Sequence, residues 1–282
     1  MASRNRITLS AIAVAALLDA APAGAQLLDL SKFPDIMAQW HRPAGIGIQW
    51  DQTKRVGPPQ QAPLTPEYQT LYRANLADQA AGGQGADPTG RCIPPGMPRM
   101  MTVVFPMEIV ILPNVTYILT DYTESRRIYT DGRGWPKELE STYNGYSIGR
   151  WIDEDGDGRY DLLEVETRGP FKGPRTYEAS GILLHEDGET IIRERIYPDK
   201  TDKDVLHDEI TTIDHALTRP WTVMKNYRRE ANPIWHFNDC DENNHHVWIG
   251  KENYYVSADG YLMPVKKNQA PPDLKYFNQS QK

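Results

Sequence analysis

From Thr102 to about Arg229 the chain repeats one pattern, a short run rich in β-branched and aromatic residues followed by a turn signal. Residues 103–112 stop at Pro113-Asn114 and lead into 115–122, and 126–129 stop before Asp131-Gly132. Runs 146–151 and 160–167 flank an acid-rich loop. Run 176–184 ends before Asp187-Gly188, 189–197 ends at an Asp/Lys turn, and 205–214 and 222–228 complete the series. Consecutive short strands joined by short turns pair antiparallel. The expected fold is mainly β, an antiparallel meander that closes into a lipocalin-like barrel or stays a half-open sheet. Closure would remove the exposed edges.

The flanks read differently. Residues 26–64 carry Pro34, Pro43, Pro58, Pro59 and Pro63 with little periodicity, which reads as an extended arm anchored by Trp40 and Trp50. Thr65-Pro66-Glu67 supplies an N-cap, a first-turn proline and a first-turn acid, so a helix runs to about Ala81 with Tyr68, Leu71, Tyr72 and Leu76 along one side. The Gly82–Gly85 stretch stops it. The tail from Ala231 is aromatic and His-rich, with strands expected at 246–249 and 254–257. The organisation expected is therefore arm plus helix (26–101) and a β-rich part (102–282), forming one structural unit.

Residues 1–25 have the three parts of a secretory signal: Arg4 and Arg6, an apolar stretch over 7–18, and Ala23-Gly24-Ala25 before Gln26. Asp19 and Pro22 interrupt the apolar run too early for a membrane span, and no later stretch is apolar enough to insert. The expected location is the periplasm or the exterior. A net charge of −7 argues against a nucleic-acid partner, which needs clustered cations. In an oxidising compartment the two cysteines, Cys92 and Cys240, are expected to pair; two buried thiols are the alternative.

The sharpest local signal lies at 153–164. Acids at Asp153, Asp155, Asp157, Asp161 and Glu164, with Gly158 at the sixth place and the Arg159 carbonyl at the seventh, meet the twelve-residue calcium-loop pattern. Strand-like flanks replace the helices of an EF-hand, so Ca²⁺ here would be structural. A solvated Asp-Gly turn is the plainer alternative. In the run 205–214, His207 and Glu209 share a strand face and could act as an acid–base or metal-binding pair if that face lines a cavity. His215 would lie roughly 26 Å further along an extended strand, out of their reach. Gly145-Tyr146-Ser147-Ile148-Gly149 matches the G-x-S-x-G elbow but lacks the following helix, so a glycine-flanked strand is expected. His236, His245 and His246 lie near Asp239, Cys240, Asp241 and Glu242 without recognised metal-ligand spacing.

The run Cys92-Ile93-Pro94-Pro95-Gly96-Met97-Pro98-Arg99, the segments 127–133 and 143–151, and His207-Asp208-Glu209 ahead of Leu217-Thr218-Arg219-Pro220-Trp221 resemble motifs of a large group of exported bacterial β-rich proteins. The similarity covers most of residues 65–230. The group carries no assigned activity, so the resemblance implies a bacterial periplasmic setting and no mechanism. It also implies that the acidic loop is an embellishment, since relatives often shorten it to a plain turn.

Three functions are compatible with these features. The first is a barrel holding a small, largely apolar or aromatic molecule, with Trp135, Trp151, Tyr177, Trp221 and Tyr227 as candidate walls. The second is an enzyme using the same cavity through His207 and Glu209. The third is a calcium-stabilised structural or interaction module.

Overall fold

The longer strands carry an apolar row and a polar row, and the apolar row turns inward. A computed structural model describes residues 28–43, 50–55, 60–102, 105–120, 125–178, 180–235, 240, 245–250 and 252–272; the expected signal segment 1–25 lies outside the described residues. Nine strands form a closed barrel in sequence order: β1 Gln39–His41, β2 Met107–Ile111, β3 Val115–Thr120, β4 Arg126–Tyr129, β5 Tyr146–Ile152, β6 Leu162–Arg168, β7 Ile191–Pro198, β8 Val205–Ile213 and β9 Trp221–Arg229. On β9, Trp221, Val223, Lys225 and Tyr227 are buried while Thr222 and Arg228 are exposed. The barrel is closed by the arm. Trp40 pairs with Met107 on β2 and with Arg229 on β9, and its ring is fully buried. The half-open alternative is therefore not what forms.

Two local expectations differ from the structure. The meander is antiparallel except at β4–β5, which run parallel with Ile128 opposite Ser147 and Tyr129 opposite Ile148. The long 130–145 connection makes this possible, because a parallel neighbour needs the chain to return to the same end. Run 176–184 contributes no barrel strand. It folds back on itself, with Tyr177 N–H donating to the Ile182 carbonyl at 2.8 Å and Leu184 N–H to that of Arg175 at 3.0 Å. Gly181 sits at the turn with φ +86°, a conformation that favours glycine.

Helix α1 (Pro66–Ala80) begins where the capping residues predict, with Thr65 Oγ1 accepting from Tyr68 N–H. Its expected apolar side is not a core face, because none of its residues is buried and Leu71 and Leu76 are exposed. The helix is held by a few specific contacts instead. Tyr72 packs on Trp50 and bonds to Ser180, and Asn75 donates to the Gly181 carbonyl at 2.7 Å. A second, three-stranded sheet joins β10 (His246–Ile249), β11 (Glu252–Val256) and β12 (Leu262–Pro264). Cys92 and Cys240 form a disulfide with Cα atoms 5.5 Å apart. No helix among the described residues is long and apolar enough to cross a membrane.

Candidate functional site

Ionic and hydroxyl groups are set into the barrel's apolar interior. Arg126, on the inward row of β4 beside Ile128, forks onto Glu194 of β7 through Nη1–Oε1 at 2.8 Å and Nη2–Oε2 at 2.5 Å. Its Nε donates to Ser147 Oγ at 3.2 Å and its Nη2 to Thr167 Oγ1 at 2.8 Å; the two hydroxyls bond to each other at 2.8 Å. Arg126 and Glu194 are essentially buried. Such a pair survives burial only because its remaining donors and acceptors are also met.

Asp208 is different. It is fully buried on the inward row of β8 between Leu206 and Ile210, directly opposite Ile196 on β7 and Lys225 on β9. Neither of its oxygens accepts a hydrogen bond from any described residue. Burial, reinforced by the Glu194 carboxylate, pushes Asp208 well above the usual carboxylate range, against the pull of Arg126 and Lys225. Lys225 is pushed the other way: burial lowers it to about 7, with Arg42 adding to the effect and Glu178, Asp51 and Asp208 opposing it. The Lys225 ammonium nitrogen lies 5.9 Å from the centre of the Tyr177 ring, which packs on Trp221 at 4.4 Å. Tyr177 Oη and Thr212 Oγ1 are also buried without a partner among the described residues. Tyr227 Oη, by contrast, donates to the Met101 carbonyl at 2.5 Å. A buried acid and base with displaced pKa values, beside unmet polar atoms, make this interior a candidate functional site.

The parity of β8 takes His207 and Glu209 out of this interior. Leu206, Asp208, Ile210 and Thr212 are buried, so His207 and Glu209 lie on the outer wall. This corrects the expectation that their face points into the barrel; the face of Asp208 does. Both ring nitrogens of His207 are engaged, Nε2 with Asp199 Oδ2 at 2.8 Å and Nδ1 with Asn226 Oδ1 at 2.7 Å. Glu209 borders an outer groove of about 490 Å³ with Trp135, Arg150, Arg193, Arg195 and Thr211. Ser147 is a buried residue of β5 whose hydroxyl serves the Arg126 network, so the glycine-flanked segment is the expected strand. Of the five candidate wall aromatics, Tyr177, Trp221 and Tyr227 are buried, and Trp151 is half-buried against Phe33. Trp135 lies outside, tilted against Tyr146 with ring centres 6.0 Å apart and beneath the Arg168 guanidinium.

The acidic loop brings Asp153, Asp155 and Asp161 together, one oxygen of each within 4.8 Å of the others. Backbone N–H groups organise it: Gly156 and Gly158 donate to Asp153 at 2.7 and 2.9 Å, and Arg159 to Asp157 at 2.8 Å. Glu164, the twelfth position of the pattern, is drawn instead to Arg150 at 2.7 Å. In the tail, His245 and His246 pack on Tyr255 and His246 bonds to Asn253. His236, Asp239, Asp241 and Glu242 lie outside the described residues.

Fold and site together define a closed β-barrel with an ionisable interior. No family model, curated protein or solved structure matches the chain.

Proposed function

We propose that this is an exported barrel that binds a small molecule with an apolar or aromatic body, whose polar head reaches Asp208. The observation that carries this reading is the Asp208 carboxyl group, fully buried with both oxygens unpartnered among the described residues. Leaving a buried acceptor unmet costs about 1–3 kcal/mol, and a ligand donor would recover that cost. Tyr177, Trp221, Leu206 and Ile210 supply the apolar surroundings. The disulfide is consistent with an oxidising compartment and so with export. The outward placement of His207 and Glu209 gives the enzyme reading no support. The test is whether protein isolated from its native host retains a small molecule, and whether Asp208→Asn retains less of it.

The convergence of Asp153, Asp155 and Asp161 supports structural calcium in the same protein. Ca²⁺ that binds only the folded chain stabilises by mass action, so added Ca²⁺ is expected to raise Tm by a few degrees. Asp153→Asn with Asp161→Asn, which keeps hydrogen-bonding oxygens but removes charge, is expected to abolish the rise. An unchanged rise in that variant would leave only an acidic turn.

A further inference from the structure

A second group of ligating side chains sits at one end of the barrel, outside both the interior and the acidic loop. Ile191 at the start of β7 pairs with Ile213 at the end of β8. The loop before β7, carrying His185 and Asp187, is thereby brought against the segment leaving β8, which carries His215. Asp187 Oδ2 lies 3.0 Å from His185 Nδ1 and is hydrogen-bonded to His215 Nδ1. One ligand atom from each of the three residues falls within 4.8 Å of the others.

We propose that His185, Asp187 and His215 form a binding site for a borderline divalent cation of the zinc and copper(II) class. Two imidazoles and a carboxylate are the donor set that such cations take, whereas calcium and magnesium prefer oxygen alone. Tetrahedral zinc with bonds of about 2.0–2.1 Å needs its ligand atoms about 3.3 Å apart, and the 3.0 Å separation at His185 and Asp187 is already close to that.

The surroundings hold the ligands in place. Asp214 ties the two segments together, its Oδ1 accepting from His185 N–H at 3.0 Å and Ala216 N–H at 2.8 Å, and its Oδ2 from Thr190 Oγ1 at 2.6 Å. The His185 ring packs near Tyr68 of α1. Asp187 N–H also approaches His185 Nδ1, at 3.2 Å, and a cation bound at that nitrogen would displace this long contact. His215 is largely exposed, so the remaining coordination positions open to water. The site therefore has the open form of an exchangeable centre rather than the closed form of a structural one.

The test is calorimetric titration of Zn²⁺ into metal-stripped protein, with circular dichroism as the check on folding. One equivalent per chain is expected. His215→Ala, an exposed substitution that should fold normally, and Asp187→Asn are each expected to weaken binding by about tenfold or more. His246→Ala should bind as the parent does, and excess Ca²⁺ should not compete. Absence of zinc binding, unchanged affinity in a folded His215→Ala, or displacement of zinc by calcium would each overturn the proposal.

Discussion

Replacing Arg126 by methionine is expected to destabilise the barrel by about 3–5 kcal/mol, the usual cost of leaving one member of a buried ion pair alone. Glu194 would then face a low-dielectric interior without its forked partner, and Ser147 and Thr167 would each lose a donor. The double variant Arg126→Met with Glu194→Leu is expected to recover most of the loss, because apolar side chains of similar volume replace such pairs at little cost. Urea unfolding of the parent, the single variants Arg126→Met and Glu194→Leu, and the double variant measures both effects. A double variant whose loss equals the sum of the two single losses would show that the residues contribute independently and that the pair is not the unit holding this layer.

The second large effect is pH-dependent. Lys225 is held at about 7 in the fold, against an ordinary value of 10.5. Between those values the unfolded chain carries a proton that the folded chain has shed, so the unfolded state binds more protons and stability rises with pH. Lys225→Met removes the titrating group. The variant is expected to be the more stable protein near neutrality and to lose that advantage as pH approaches about 10, over a total span on the order of 5 kcal/mol. Below about pH 7 the difference should level off. Asp208 titrates in both proteins, so the difference between the two curves isolates Lys225 apart from its coupling to Asp208. Parallel stability curves across this range would mean that Lys225 keeps its proton inside the barrel.

The barrel was legible because its strands are short, alternate cleanly and end at Pro-Asn, Asp-Gly and Asp-rich turns. The parallel β4–β5 pair was not, since a long connection does not reveal which end of the sheet the chain returns to. The interior charges left a signal that polarity alone obscures. On β9, Lys225 sits in the row Trp221, Val223, Tyr227, and on β7, Glu194 lies between Ile192 and Ile196, so each is a charge on an apolar row. Strand β8 is ambiguous, because both of its rows mix apolar and charged residues. Only its pairing, with Asp208 opposite Ile196 and Lys225, fixes Asp208 inside and His207 and Glu209 outside. The cluster of His185, Asp187 and His215 could not be read from spacing, since it depends on two strand ends meeting across the ladder.

The central claim is that Asp208 receives the head of a small ligand inside the barrel, and a native mass spectrum of protein isolated from its own host tests it most directly. The predicted result is a discrete mass excess over the chain that metal chelation does not remove and unfolding releases. The excess should be diminished in Asp208→Asn and retained in His207→Ala, whose ring lies on the outer wall. A spectrum of the bare chain, or an excess that Asp208→Asn keeps in full, would contradict the claim.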